Sequence, residues 1–339
     1  MRYDEAGVDI ARADQTLGSL RDTIRSTFTP LVRSDVGHFA GLIAVPGAGP
    51  GTPLLAASTD GVGTKLLIAR DTRREREVAG DLVRHCVNDI LVMGAFPLFF
   101  LDYFATGALE PRMLIACVEG IAEACRADGV ALLGGETAEM PDLYAQGDFD
   151  LAGTIVGTVP PGRVIDGAKI KAGDELWALA SAGLHTNGYS LARRIVTRAG
   201  LGWDDALPGA AGRISDLLLA PHRSYLSVLK PLIEPGLVSG LAHVTGGGIA
   251  GNLVRVLPPG VQATVERSAW TWPDTFRALQ SLGEVKTLEM ERVFNLGVGM
   301  ILVLSPAHRD QALAQLKSAG EAPFRVGAIT AGERSARLV

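Results

Sequence analysis

Ser58-Thr59-Asp60-Gly61-Val62-Gly63-Thr64-Lys65 follows the first strong apolar run of the chain, Leu54–Ser58, and precedes a helical pattern around Val78–Met93. An apolar strand that ends in an acidic glycine turn and then gives way to a helix opens a mixed α/β layer. Two further acidic motifs occur in the same half, Val87-Asn88-Asp89 and Gly134-Gly135-Glu136-Thr137-Ala138-Glu139-Met140-Pro141. A carboxylate beside a tight glycine turn is costly to bury unless something compensates it, and a divalent cation is the usual compensator. Glycines let the backbone approach a ligand, and their N–H groups suit phosphate. Carboxylates, phosphate-friendly turns and one lysine together describe a metal–nucleotide site.

Outward from this stretch, residues 1–52 read as irregular. Strands are expected at Leu98–Ala105, Val130–Leu133 and Leu151–Val159, with a helix over Pro111–Asp128 whose Glu119, Glu123 and Arg126 face water. Pro160-Pro161-Gly162 marks a domain boundary, giving domains 1–162 and 163–339. The second half alternates again: strand Glu175–Ala180, a helix from Ser190, helices near Tyr225–Ile233 and Asn252–Leu257, strands Gln262–Val265 and Met300–Leu304, helix Ala307–Ala319 and strand Phe324–Ile329. It is no strict βαβ series, so the fold class is α/β of the α+β kind, two sandwich domains and not a doubly wound sheet.

A chain of 339 residues suits two ordinary domains, and 47% hydrophobic with 20% charged residues describes a well-cored protein. With 32 basic and 37 acidic side chains the net charge is −5 and no polybasic run occurs, which argues against nucleic acid as a partner. Cys86, Cys117 and Cys125 lack CxxC spacing and read as reduced, buried thiols. Met1-Arg2-Tyr3-Asp4-Glu5 carries no apolar signal region, and the longest apolar run, Ala95–Phe104, is broken by Pro97 and Asp102. The expectation is a cytoplasmic protein with no membrane partner.

Each motif has a plainer reading beside the chemical one. Asp60–Lys65 places Asp60 at a strand end as ion or nucleotide ligand with Lys65 reaching phosphate; an ordinary Asp-Gly turn is the alternative, and the order of a P-loop is absent. Asn88 and Asp89 sit among apolar neighbours in a helix, where an asparagine also serves to satisfy backbone groups; Asp81 lies on a similar face as a weaker candidate. Glu136 and Glu139 share a face if Gly134–Pro141 forms a helical turn, against a solvated acidic loop. Ser181–Ser190 (SAGLHTNGYS) lies between a strand and a helix, and its hydroxyls, imidazole, amide and helix N–H groups suit a phosphate monoester; a helix cap accounts for one or two of these residues only. Gly246, Gly248 and Gly251 match the spacing of a dinucleotide fingerprint, with Glu266 twenty residues beyond Gly246. That rival leaves the three acidic motifs unexplained.

Taken together, Asp4–Ile10, Ser58–Leu66, Asp81–Asp89, Pro97–Gly107, Gly134–Pro141, Ser181–Leu191, His243–Gly248 and Phe294–Met300 resemble the phosphoribosylformylglycinamidine cyclo-ligase family over nearly the whole chain. The chain departs at Gly251, where Glu is usual, at Val293, often Thr, at Leu184, frequently Pro, and at His38 inside a usually glycine-rich Gly37–Gly41 loop. The resemblance implies a homodimer whose N-terminal sheets join into a barrel. It also implies ATP, Mg²⁺ and formylglycinamidine ribonucleotide as reactants. It assigns Asp60, Asp89 and Glu136 to metal, and these with Gly61, Gly63, Thr64, Lys65 and Asn88 to the nucleotide. Lys65 and His185 are the catalytic candidates; His185, Thr186, Asn187, Ser190 and Thr245, Gly246, Gly247, Gly248 are the substrate contacts. Related scaffolds include a thiamine-monophosphate kinase type of ATP enzyme, which stays beside the NAD-type oxidoreductase and a non-catalytic nucleotide-binding regulator as alternatives.

Overall fold

The computed structural model describes residues 1–339, apart from the side chain of Asp14. The N-terminal half runs α1 (Ile10–Ser19), α2 (Arg21–Arg25), β1 (Gly41–Ile43), β2 (Leu54–Gly61), α3 (Lys65–Thr72), α4 (Glu75–Leu91), β3 (Phe96–Thr106), α5 (Pro111–Asp128), β4 (Ala131–Glu139) and β5 (Phe149–Val159). The strands form one sheet in the order β1-β2-β5-β3-β4. Only β3 and β4 run parallel, because α5 carries the chain back across the sheet between them. Pro111 opens α5 and Gly129, at φ 68°, ends it in the left-handed conformation.

α4 is the buried keel of this half. It lies against β2, β3 and β5 on one side and α5 on the other. The approach to α5 is close: a Cβ on Gly120 would stand 1.9 Å from the carbonyl oxygen of Arg76. The opposite face of the sheet is open. Alternate residues of β5 are buried toward α4 while Asp150, Ala152, Thr154, Val156 and Thr158 face away, and Leu101 and Leu133 are exposed.

The C-terminal half runs β6 (Glu175–Ala180), α6 (Tyr189–Arg198), α7 (Ile214–Leu218), α8 (Leu226–Ile233), β7 (Gly240–His243), α9 (Gly248–Leu253), β8 (Val261–Val265), α10 (Asp274–Gly283), α11 (Thr287–Val293), β9 (Val298–Leu304), α12 (Pro306–Ser318), β10 (Phe324–Ala331) and β11 (Ser335–Leu338). Its sheet has the order β11-β8-β10-β6-β9-β7, with only β11 and β8 parallel. β9 is buried along its full length, which its unbroken apolar sequence anticipates.

Several expectations change. Residues 1–52 are not irregular throughout, since α1, α2 and β1 lie there. Gly134–Glu139 is strand and not a helical turn, so Glu136 and Glu139, three apart, point to opposite faces. α10, α11 and β11 are further elements that the sequence reading did not include. The start of the chain docks on the other half: the Met1 amino group donates to Gly283 O at 3.1 Å and Tyr3 N–H to Glu289 Oε1 at 2.6 Å. Among the described residues no helix is long and apolar enough to cross a membrane.

Candidate functional site

The site grows from one face of α4. Asp81, His85, Asn88 and Asp89 fall at i, i+4, i+7 and i+8, so all four point the same way. All are buried, and each meets the second half of the chain. Asp81 accepts hydrogen bonds from Lys65 Nζ at 2.6 Å and from His222 N–H at 2.7 Å. Asn88 Oδ1 accepts from Tyr225 N–H at 3.0 Å, and Asn88 Nδ2 donates to Arg223 O at 2.8 Å. These bonds clasp the segment Ala220–Tyr225 to α4.

Two sequence assignments are corrected by this geometry. Lys65 does not reach toward phosphate: its side chain is wholly buried, and its ammonium donates to Asp81, His185 O at 2.9 Å and Ala220 O at 3.1 Å. All three ammonium protons are used. Asn88 is likewise no nucleotide contact, being fully buried with its amide bound to backbone.

Asp60, at the end of β2, meets Asp89 beneath α4. Their neighbours are imidazoles: His85 Nε2 lies 3.5 Å from Asp60 Oδ2, and His243 Nδ1 donates to Asp89 Oδ1 at 2.8 Å. Burial, with the nearby Asp89 adding to it and His85 opposing, pushes the Asp60 carboxyl up to about 7. Burial raises Asp89 too, against the pull of His85 and Arg255. Among the described residues no lysine or arginine forms an ion pair with either carboxylate. Two neighbouring carboxylates with no ion-paired lysine or arginine, and only Arg255 acting on them from a distance, suit a divalent cation.

Glu136 does not join them within one chain. Asp60, Gly153, Asp102 and Gly135 form one row across the sheet, so Gly135 stands about 14 Å from Asp60 at ordinary strand spacing. Glu136, the next residue, is exposed on the opposite face of the sheet.

The second-half loop closes over the pair. Thr186 Oγ1 is 2.5 Å from His85 Nδ1, and Ser190 Oγ is 3.1 Å from Thr64 Oγ1. Gly61, the last residue of β2, and Gly63, in the turn before Thr64, are exposed. Gly246 faces Asn187, whose Oδ1 would stand 3.1 Å from a Cβ there. Asn252 Nδ2 braces the glycine loop after Thr245 by donating to Gly246 O at 3.1 Å and Gly248 O at 2.9 Å. Gly247 and Gly248 need their left-handed φ of 91° and 65°, and a Cβ on Gly248 would strike Glu291 O at 1.9 Å. Between this loop, α1 and α2 lies a cleft of about 600 Å³, lined by Leu17, Arg21, Gly246, Gly247 and Arg255 among others. His185 sits below the loop, 1% exposed, at φ 62°, with its ring stacked 4.0 Å from that of His222.

Sequence reading missed His85, His222 and His243 as site residues. With His185 they make four of the chain's six histidines, gathered around Asp60 and Asp89. His85 was readable from its i, i+4 spacing to Asp89. His222 and His243 come from distant segments and left no local signal.

The dinucleotide reading loses its scaffold. β7 pairs only with β9 and antiparallel, so Gly246–Gly251 opens no βαβ unit, and nothing packs on Gly251. Glu266 faces Arg325 on another edge of the sheet.

Residues 38–159 match the family described as AIR synthase related protein, N-terminal domain, and residues 171–339 its C-terminal domain. The phosphoribosylformylglycinamidine cyclo-ligase of Geobacter metallireducens is 45% identical over 99% of this chain and 98% of that protein. That of Geobacter sulfurreducens is 45% identical over 99% and 97%. The thiamine-monophosphate kinase structure from Stenotrophomonas maltophilia K279a is alike in fold, with a TM-score of 0.65 at 17% identity over 94% of this chain and 95% of that one. The chain belongs to the phosphoribosylformylglycinamidine cyclo-ligase family.

Proposed function

We propose that this ligase closes the imidazole ring of formylglycinamidine ribonucleotide at the seam between its two halves, giving aminoimidazole ribonucleotide, ADP and phosphate for purine biosynthesis. The observation that carries the location is the Asp60–Asp89 pair, without an ion-paired lysine or arginine, held against the Thr186–Ser190 loop. An amide oxygen is a poor leaving group, so the formyl oxygen first takes the terminal phosphoryl group of ATP. The amidine nitrogen then forms the new C–N bond as phosphate departs.

Asp60 and Asp89 would hold Mg²⁺; bound there, the ion neutralises phosphate charge during phosphoryl transfer. Gly61, Gly63 and Thr64 offer backbone N–H groups and a hydroxyl at the exposed turn beside them. Thr186, Asn187, Ser190 and the Thr245–Gly248 loop line the substrate side, and a 600 Å³ cleft is of the size that small ligands occupy. Holding the amidine nitrogen against the activated carbon supplies rate by proximity. Lys65 and His185 act as positioning residues: Lys65 fixes the His185 carbonyl, and with it the start of the Thr186–Ser190 loop that meets His85 and Thr64. Burial holds the His185 ring well below its ordinary pKa, so it is neutral and no proton donor at pH 7.

Glu136 enters from a second copy of the chain. β1 covers only Leu55–Ala57 of β2, and the outer edge of β4 has no strand beside it among the described residues. Open sheet edges and the exposed Leu101 and Leu133 favour a homodimer in which two such sheets form a barrel. β4 of one protomer beside Ser58–Gly61 of the other would set Glu136 of the partner subunit next to the open turn that follows Asp60. The reaction and the three unpaired cysteines fit a reducing cytoplasm.

The test is ADP release coupled to a spectrophotometric assay, with and without formylglycinamidine ribonucleotide. Release that requires this substrate is expected; release unaffected by it would overturn the assignment. Mixing Asp89→Ala with Glu136→Ala protein should restore part of the activity that each lacks alone, because one of the two sites of a mixed dimer is then intact. Failure to complement would place Glu136 outside the site.

A further inference from the structure

The hydrogen bonds around His222 and His243 do not close with the protons of this chain. Asn88 is fixed in orientation, its Oδ1 taken by Tyr225 N–H and one amide proton by Arg223 O. Its other amide proton faces His222 Nε2 at 3.3 Å, which makes that nitrogen an acceptor. On the other side, His243 Nδ1 faces Asp89 Oδ1 at 2.8 Å, and donating there leaves His243 Nε2 as a bare lone pair. The two Nε2 atoms stand 3.1 Å apart, lone pair to lone pair. His185 Nδ1 and His222 Nδ1 are buried with no hydrogen-bond partner, which a native interior rarely leaves so.

We propose that His185, His222 and His243 form a binding site for a borderline divalent transition cation of the Zn²⁺ class, next to the carboxylate site at Asp60 and Asp89. One nitrogen from each ring lies within 4.8 Å of the others. Two nitrogen ligands of a tetrahedral Zn²⁺ stand about 3.3 Å apart, near the spacing of the two Nε2 atoms. Three imidazoles suit zinc, cobalt or nickel and not magnesium, which takes oxygen. Asp89 already plays the outer carboxylate that orients a ligating histidine through its other nitrogen. The ion would tie together the Ser181–Ser190 loop, the segment after Ala220 and the end of β7.

Cobalt(II) is the probe, added to chelator-treated protein in excess Mg²⁺ so that the carboxylate site is filled. The expected result is one cobalt per chain with the intense visible band of tetrahedral nitrogen coordination, displaced by Zn²⁺. His222→Gln should weaken binding by at least about tenfold. Zn²⁺ should raise the Tm of the wild type and not of that variant. If His222→Gln does not fold, X-ray absorption at the cobalt edge of the wild-type protein decides. Imidazole nitrogens in the shell support the site, and an oxygen-only shell overturns it. Absence of binding under excess Mg²⁺, or unchanged affinity in a folded His222→Gln, also overturns it.

Discussion

Asp81 and Asp89 lie about two turns apart on one face of α4, yet the protein treats them oppositely. Asp81 is fully buried and answered from within the chain by the Lys65 ammonium and a backbone N–H. Asp89, with Asp60 beside it, is given His243, whose ring burial holds neutral, and no ion-paired lysine or arginine. The first carboxylate builds the joint between the halves. The second is left for a ligand to complete. Burial alone therefore does not mark a functional carboxylate; what marks it is a missing internal cation.

Substitution should separate the two. Lys65→Met leaves Asp81 charged in the interior with only the Arg84 guanidinium, 3.3 Å away, as a cationic partner and should lower stability by about 3 kcal/mol, read by denaturant unfolding. A loss under about 1 kcal/mol would mean that Asp81 is not compensated by Lys65 as the geometry indicates. Asp89→Ala should behave the other way, folding normally while kcat/KM falls by several kcal/mol in barrier, roughly 10²–10³-fold or more. Near-normal turnover in this variant would remove the contrast.

A smaller effect lies in pH. The folded pKa of Asp60, about 7, stands above its ordinary 3.8, so the folded state holds the extra proton in that interval. The contribution of Asp60 to stability is then most favourable at the acid end and is lost as pH rises from about 4 to about 7. Mg²⁺ should reverse this by favouring the ionised form, releasing protons on binding near pH 6. Calorimetry in two buffers of different ionisation enthalpy measures that release, and none at all would contradict the raised pKa.

The smallest change is at Gly251, where a Cβ meets nothing and φ is ordinary. Gly251→Ala should stabilise by up to about 1 kcal/mol through helix propensity and leave activity intact. A large loss of activity would return meaning to the glycine spacing.

How far the sequence was legible follows the same division. α5 and β6 were read to the residue because cap, period and burial agree there. Asp60 and Asp89 were legible because a carboxylate among apolar residues is conspicuous. The fate of Lys65 was not, since the carbonyls of His185 and Ala220 that capture it lie more than a hundred residues away. Glu136 misled because glycines suggested a turn where the chain runs as an edge strand, and because a strand puts it on the far face of the sheet. The histidine cluster depends on four distant segments and is a property of the fold alone.

The account rests most directly on the Asp60–Asp89 pair as the place where ion and nucleotide bind. Equilibrium titration of Mg²⁺–ATP into the wild type, Asp60→Asn and Asp89→Asn tests it. Each amide should bind at least about tenfold more weakly, because it cannot neutralise a divalent ion, while folding stability without ligand stays equal or rises. Wild-type affinity in both folded variants would contradict the account.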